Sequence, residues 1–193
     1  MAALLSRCGA AAAAGLLSAT PLCLSAQIRD SLITAHQIAG VRICDSLARI
    51  NSVFSQARDT TIVGEDEETK WAAKVVPLAA GRWILFESSW VDGSRVWRAS
   101  TNSSFFKTRH GLRVGSSVRD VLATRDSLEF DYPEGYLVIV LVAEEIAFQV
   151  EDSSARAFWR RFSREQFKEG ADPLRSLSPS ARIKEFTIGK GCR

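Results

Sequence analysis

Any chemistry in this sequence would have to come from few residues. There are two histidines, His36 and His110, and neither has a partner at metal-ligand spacing along the chain. A zinc site needs three or four ligands, and Cys44 and Cys192 are the only cysteines beyond residue 26. No metal or cofactor is therefore expected, and His110 reads as a loop residue ahead of Gly111. Gly115-Ser116-Ser117 could expose a hydroxyl where a strand turns into a helix. The Gly-x-Ser-x-Gly pattern is absent, however, so these serines read as helix-capping residues. Gly189-Lys190-Gly191 is too short and too terminal for a phosphate loop. The carboxylate runs Asp66-Glu67-Glu68 and Glu144-Glu145 fall in turns, where solvated charge is the ordinary explanation. No catalytic residue is assigned.

Those residues are positioned by a pattern that occurs twice. Gly111 to Val121 repeats Gly40 to Ile50 without a gap, sharing Gly, Arg and Ser and an apolar residue at the second, fourth, eighth and eleventh places. A repeat of this period points to a duplicated supersecondary unit. In each copy a short extended piece precedes a helix, with Asp45 and Ser116 at the expected N-cap positions. Leu47, Ile50, Val53 and Phe54 form the apolar stripe of the first helix, which should end near Arg58. Val118, Val121 and Leu122 form that of the second.

Candidate strands follow each helix. In the first copy they are Thr60 to Val63, Trp71 to Val76, Arg82 to Ser88 and, after the Asp92-Gly93 turn, Arg95 to Thr101. In the second copy Leu128 and Phe130 alternate, and Tyr136 to Val142 reads as a buried central strand. Ile146, Phe148 and Val150 then alternate with polar or small residues, and Arg182 to Ile188 closes the unit. Between the last two strands lies an insertion, 152–181, beginning with a predicted helix from Ser154 to Glu169 that Gly170 ends. The predicted class is α+β: two tandem helix-plus-antiparallel-meander units, 27–107 and 108–193, forming one sheet of about eight strands with helices mainly on one face.

Residues 1–26 read as a secretory signal, with Arg7 before the apolar stretch Ala10 to Leu24 and cleavage near Ala26. Taking Arg7 from the 25 basic residues leaves 24 against 22 acidic ones. A net charge near +2 gives no support for a nucleic-acid partner, and no later stretch is long and apolar enough for a stable membrane span. The expected address is periplasmic or extracellular. In an exported chain Cys44 and Cys192 are candidates for a disulfide.

The pattern Gly-apolar-Arg-apolar-Gly-Ser-Ser-apolar-x-x-Val at 111–121, followed by a meander, resembles the helix-plus-meander repeat of the β-lactamase inhibitory protein. It is similar also to outer-membrane assembly lipoproteins of the SmpA/OmlA type, and to exported bacterial proteins carrying the unit in tandem. Cys44 departs from the pattern, standing where the second copy has a glycine. The resemblance implies action by binding other proteins and offers no catalytic residues.

The expected function is accordingly non-catalytic: binding an unknown envelope or extracellular protein through the open sheet face. The alternatives are a hydrolase-like enzyme with an unrecognised site and a structural envelope factor. The strand around Ile84 is apolar on both faces. Matching Ile84 and Phe86 with the core puts Trp83 and Leu85 on the other face, with Trp97 beside them, as partner-binding candidates. On the predicted insertion helix, Phe158, Trp159 and Phe162 among basic residues are further candidates.

Overall fold

Two short turns start the helices. The computed structural model describes residues 28, 30–64, 66–131, 136–151, 178–189 and 191–192. A hairpin of β1 (Gln37–Ile38) and β2 (Val41–Arg42) leads into α1 (Leu47–Val53), which is capped by Ser46 accepting from the Ala48 amide. The second helix, α2 (Val118–Ala123), is capped by Ser117 in a reciprocal capping box with Asp120. Both caps thus fall one residue after the expected Asp45 and Ser116. Those two instead close the preceding turn: Asp45 accepts from the Arg42 amide at 2.9 Å, and Ser116 from the Arg113 amide at 3.1 Å. That turn places Cys44 (φ 75°) and Gly115 (φ 94°) in the left-handed region, which an L side chain enters only at a cost.

The remaining strands build one antiparallel sheet. They are β3 (Arg58–Val63), β4 (Lys70–Pro77), β5 (Trp83–Glu87), β6 (Arg98–Thr101), β7 (Leu128–Asp131), β8 (Leu137–Leu141), β9 (Ile146–Glu151) and β10 (Arg182–Ile188). Their order is β3-β4-β5-β6-β10-β9-β8-β7, so β6 and β10 meet in the middle. The expected α+β class and single sheet of about eight strands are therefore observed, together with the small β1–β2 sheet. The predicted insertion helix, with Phe158, Trp159 and Phe162, and the signal segment 1–26 lie outside the described residues.

One face of the sheet carries the core. Register places Phe86 beside Ala99, Ile84 and Phe186 beside Thr101, and Phe148 between Ile139 and Phe186. These apolar side chains are fully or almost fully buried, and Leu47, Ile50, Val118 and Val121 of the helices join the same cluster. Phe54 stacks on Phe86 with ring centroids 6.3 Å apart. Leu122, expected in the second stripe, faces outward instead and is exposed. Its helix is a single short turn and a half, and Val118 and Val121 already occupy the covered side. The entry segment also contributes more than its scattered apolar residues announce, since Ile33 and Ile38 are buried in the core. The Ile33 amide donates to the Lys107 carbonyl at 2.8 Å.

The most apolar strand is not the central one. β8 is second from the β7 edge, with Leu137, Ile139 and Leu141 in the core and Val138 and Val140 half-buried on the other face. The middle strand β6 is Arg-Ala-Ser-Thr. It tolerates that composition because its buried polar groups are bonded, as where the Thr101 hydroxyl donates to the Trp83 carbonyl at 2.6 Å.

Cys44 and Cys192 are joined in a disulfide. It ties the turn before α1 to the segment beyond β10. Gly191 passes directly against the Trp97 ring, where a Cβ would collide with it.

Candidate functional site

The second face of the sheet is defined by the same register. Trp71, Trp83, Leu85, Glu87, Arg98, Ser100, Glu185 and Thr187 alternate with the core residues and point away from them. At the end of this face where β3–β6 meet their connecting turns lies a cleft of about 770 Å³. Its aromatic walls are Trp71, Trp90, Trp97 and Tyr136, and Glu87 and Arg98 form its polar floor.

The floor is a built network. Glu87 is 3% exposed and accepts three hydrogen bonds: from Arg98 Nε at 2.9 Å, from Arg98 Nη2 at 2.7 Å and from Trp71 Nε1 at 3.1 Å. A bidentate guanidinium fixes the carboxylate plane, and the indole adds a second donor to the oxygen that Arg98 Nη2 already holds. The Glu87 bond also holds the Arg98 pKa above its ordinary value. Next to this pair, burial pushes the Glu185 carboxyl up from 4.5, and the nearby Glu87 charge adds to that, against a bond from Ser100.

A carboxyl whose pKa is higher folded than unfolded binds its proton more tightly in the folded state, so ionising it opposes folding. Its stability contribution is full below the unfolded pKa and declines as pH rises through the folded one. Glu185→Gln is therefore expected to gain on wild type between acidic and neutral pH in urea titrations. A difference between the two proteins that stays flat with pH would show that Glu185 is not strained.

The rim of the cleft is unusual for a water-facing surface. Trp90 is 73% exposed, and Val63, Val91 and Trp97 are exposed large apolar side chains at the same end. The β3–β4 turn that follows Val63 carries exposed Asp66, Glu67 and Glu68. Asp66 accepts from the Thr69 hydroxyl and amide, which holds its pKa below the ordinary value. It therefore stays ionised across the neutral range.

Of the expected partner-binding residues, Trp97 lines the cleft, while Trp83 and Leu85 lie half-buried on the same face but outside its walls. Trp71, Trp90, Tyr136, Glu87 and Arg98 were not singled out from the sequence. Glu87 carried a signal: a charge at the end of the strongest apolar strand must either face water or be paired.

The turn carboxylates divide. Asp66 to Glu68 are solvated, as expected, but Glu144 is buried, because Arg109 Nε donates to its Oε1 at 3.1 Å and His110 Nε2 lies 3.0 Å from the same atom. His110 thus has partners after all. Asp126 completes a group in which one ligand atom from each of His110, Asp126 and Glu144 lies within 4.8 Å of the others.

No family model matches the sequence, and a search of curated proteins gives no significant match. Among solved structures the chain is similar to the crystal structure of the uncharacterized protein yfeY from Escherichia coli. The TM-score is 0.57 at 10% identity, covering 82% of this chain and 99% of that one. At that identity the likeness is one of fold.

Proposed function

We propose that this is an exported, non-catalytic protein that binds a basic segment of another envelope or extracellular protein in the Trp-lined cleft. The observation that carries the reading is the exposed Trp90 beside Trp71, Trp97 and Tyr136, over a floor whose own charges are already paired. Aromatic side chains in a partly desolvated cleft are the usual energetic centre of an interface. Their ring faces attract cations, and Asp66 in the lining, with Glu67 and Glu68 next to it in the same turn, adds complementary charge.

Export is supported by the apolar leader, by the disulfide, and by the lack of any described helix long and apolar enough to cross a membrane. Tandem duplication is supported by the matching turns before α1 and α2 and by strand orders that mirror each other about β6 and β10.

The test is a set of synthetic peptides, basic and acidic, titrated into the full chain with tryptophan fluorescence as readout. Basic peptides should bind with an affinity that falls as salt rises. Trp90→Ala should weaken that binding by roughly 30-fold, a loss of about 2 kcal/mol, at an unchanged melting temperature. A preference for acidic peptides, or equal binding by Trp90→Ala, would refute the reading. Concentration-dependent dimerisation abolished by Trp90→Ala would assign the cleft to a second copy of the chain instead.

A further inference from the structure

We infer that His110, Asp126 and Glu144 form a site for a divalent transition cation of the zinc or manganese kind, separate from the cleft. Three segments distant in sequence bring them together. His110 stands in the turn closed by the Gly111 amide donating to the Thr108 carbonyl. Asp126 follows α2, where its amide donates to the Thr124 hydroxyl at 3.3 Å. Glu144 is in the β8–β9 hairpin, which the Val142 amide ties to the Ser127 carbonyl at 3.0 Å. The arrangement is held by backbone bonds and does not depend on the three side chains attracting one another.

The spacing suits an ion. His110 Nε2 lies 3.0 Å from Glu144 Oε1 and 3.9 Å from Asp126 Oδ2. Tetrahedral ligands bonded at about 2.0–2.1 Å stand about 3.3 Å apart, so the donors need to move little. One nitrogen and two carboxylate oxygens, with one side open, are the donor set of a zinc or manganese site more than of a calcium site.

A second observation points to a ligand. Asp126 Oδ2 is buried and has no hydrogen-bond partner among the described residues, although the side chain is only 11% exposed. Buried carboxylate oxygens are ordinarily bonded. Arg109 does not supply the missing bond, because its Nη2 remains 3.9 Å away. Its Nε donates to Glu144 Oε1 at 3.1 Å and reaches His110 Nε2 at 3.4 Å, and its side chain, 59% exposed, can swing into water. Arg109 is the guanidinium set against both carboxylates, at 3.1 Å from Glu144 and 3.9 Å from Asp126, and a dication would displace it as the counter-charge.

The experiment is calorimetric titration of the metal-free full chain with Zn²⁺ and with Mn²⁺, with Ca²⁺ for comparison, alongside melting temperatures. One Zn²⁺ or Mn²⁺ per chain should bind and raise the melting temperature. Asp126→Asn and Glu144→Gln should each weaken binding at least tenfold, and His36→Gln, on an exposed residue outside the group, should not change it. Arg109→Gln separates the proposal from a purely structural ion-pair cluster: it should tighten metal binding by removing the competing cation. An ion-pair cluster alone would give a destabilised variant that binds no metal. Failure of both wild type and Arg109→Gln to bind either metal, or equal binding by Asp126→Asn, would overturn the site.

Discussion

Cys192→Ser is expected to lower the free energy of unfolding by about 5 kcal/mol, as judged by the entropy of the long loop that the disulfide closes. The two half-cystines are 148 residues apart in sequence, and the loop the bond closes contains all eight strands of the large sheet, from the turn before α1 to the segment beyond β10. Urea unfolding of oxidised wild type and variant measures the loss. Reductant should shift wild type to the variant's midpoint and leave the variant unmoved. If the two proteins unfold at the same midpoint, the bond contributes nothing. The effect should also reach the cleft. Cys192 holds Gly191 beneath the Trp97 ring, and its Sγ lies 3.6 Å from the Val96 carbonyl. Releasing it should loosen one aromatic wall, seen as altered tryptophan emission in the folded variant.

Phe148→Ala should cost a similar amount, about 3–5 kcal/mol. Phe148 is wholly buried, and its ring meets Phe186 edge-on at 5.2 Å across the β9–β10 pair. Truncation removes that contact and leaves a cavity between two strands whose backbone bonds prevent collapse. The expected result is a lower urea midpoint with an unchanged slope. A cost below about 1 kcal/mol would mean that the neighbouring chains refill the space. The contrast with Trp90→Ala is deliberate: a larger ring is removed there, yet it is mostly in water already, so stability should hold while binding falls.

Much of the frame was legible because local rules act on neighbouring residues. Alternation in Ile146 to Val150 reports which side chains are buried, since period-two patterning is set by the pleat itself. In Arg182 to Ile188, by contrast, a register shift between Ile183 and Glu185 breaks the period and lets Ile183, Phe186 and Ile188 share the core. The separation of Trp83 and Leu85 from Ile84 and Phe86 followed from the period-two rule, whereas strand limits shifted: β6 starts at Arg98 rather than Arg95, and β4 runs through Pro77. Where two local devices compete, sequence was less decisive. Asp45 and Ser46 can each cap a helix, as can Ser116 and Ser117, and the choice fell to the turn before them. The Tyr136 to Val142 run shows another limit, because apolar residues on both faces signal burial but not a place in the strand order.

The candidate sites were much less legible. Trp97 was found from its aromatic character, but Trp71 reaches the same cleft from β4, and Trp90 and Tyr136 reach it from separate connections. Glu144 looked like Asp66 to Glu68, a carboxylate in a turn, until Arg109 and His110 closed over it.

By itself, then, the sequence determined the α+β class, the set of sheet strands, the buried faces of β5 and β9, and a candidate disulfide pair. Only the tertiary structure decided the strand order, the cleft and the His110–Asp126–Glu144 group. The physical reason is range. Capping, turn chemistry and alternation are energies between residues a few places apart, so their signature is written in consecutive letters. Charge pairing and aromatic convergence are energies between side chains brought together by folding, and the spacing of such residues along the chain carries no trace of their distance.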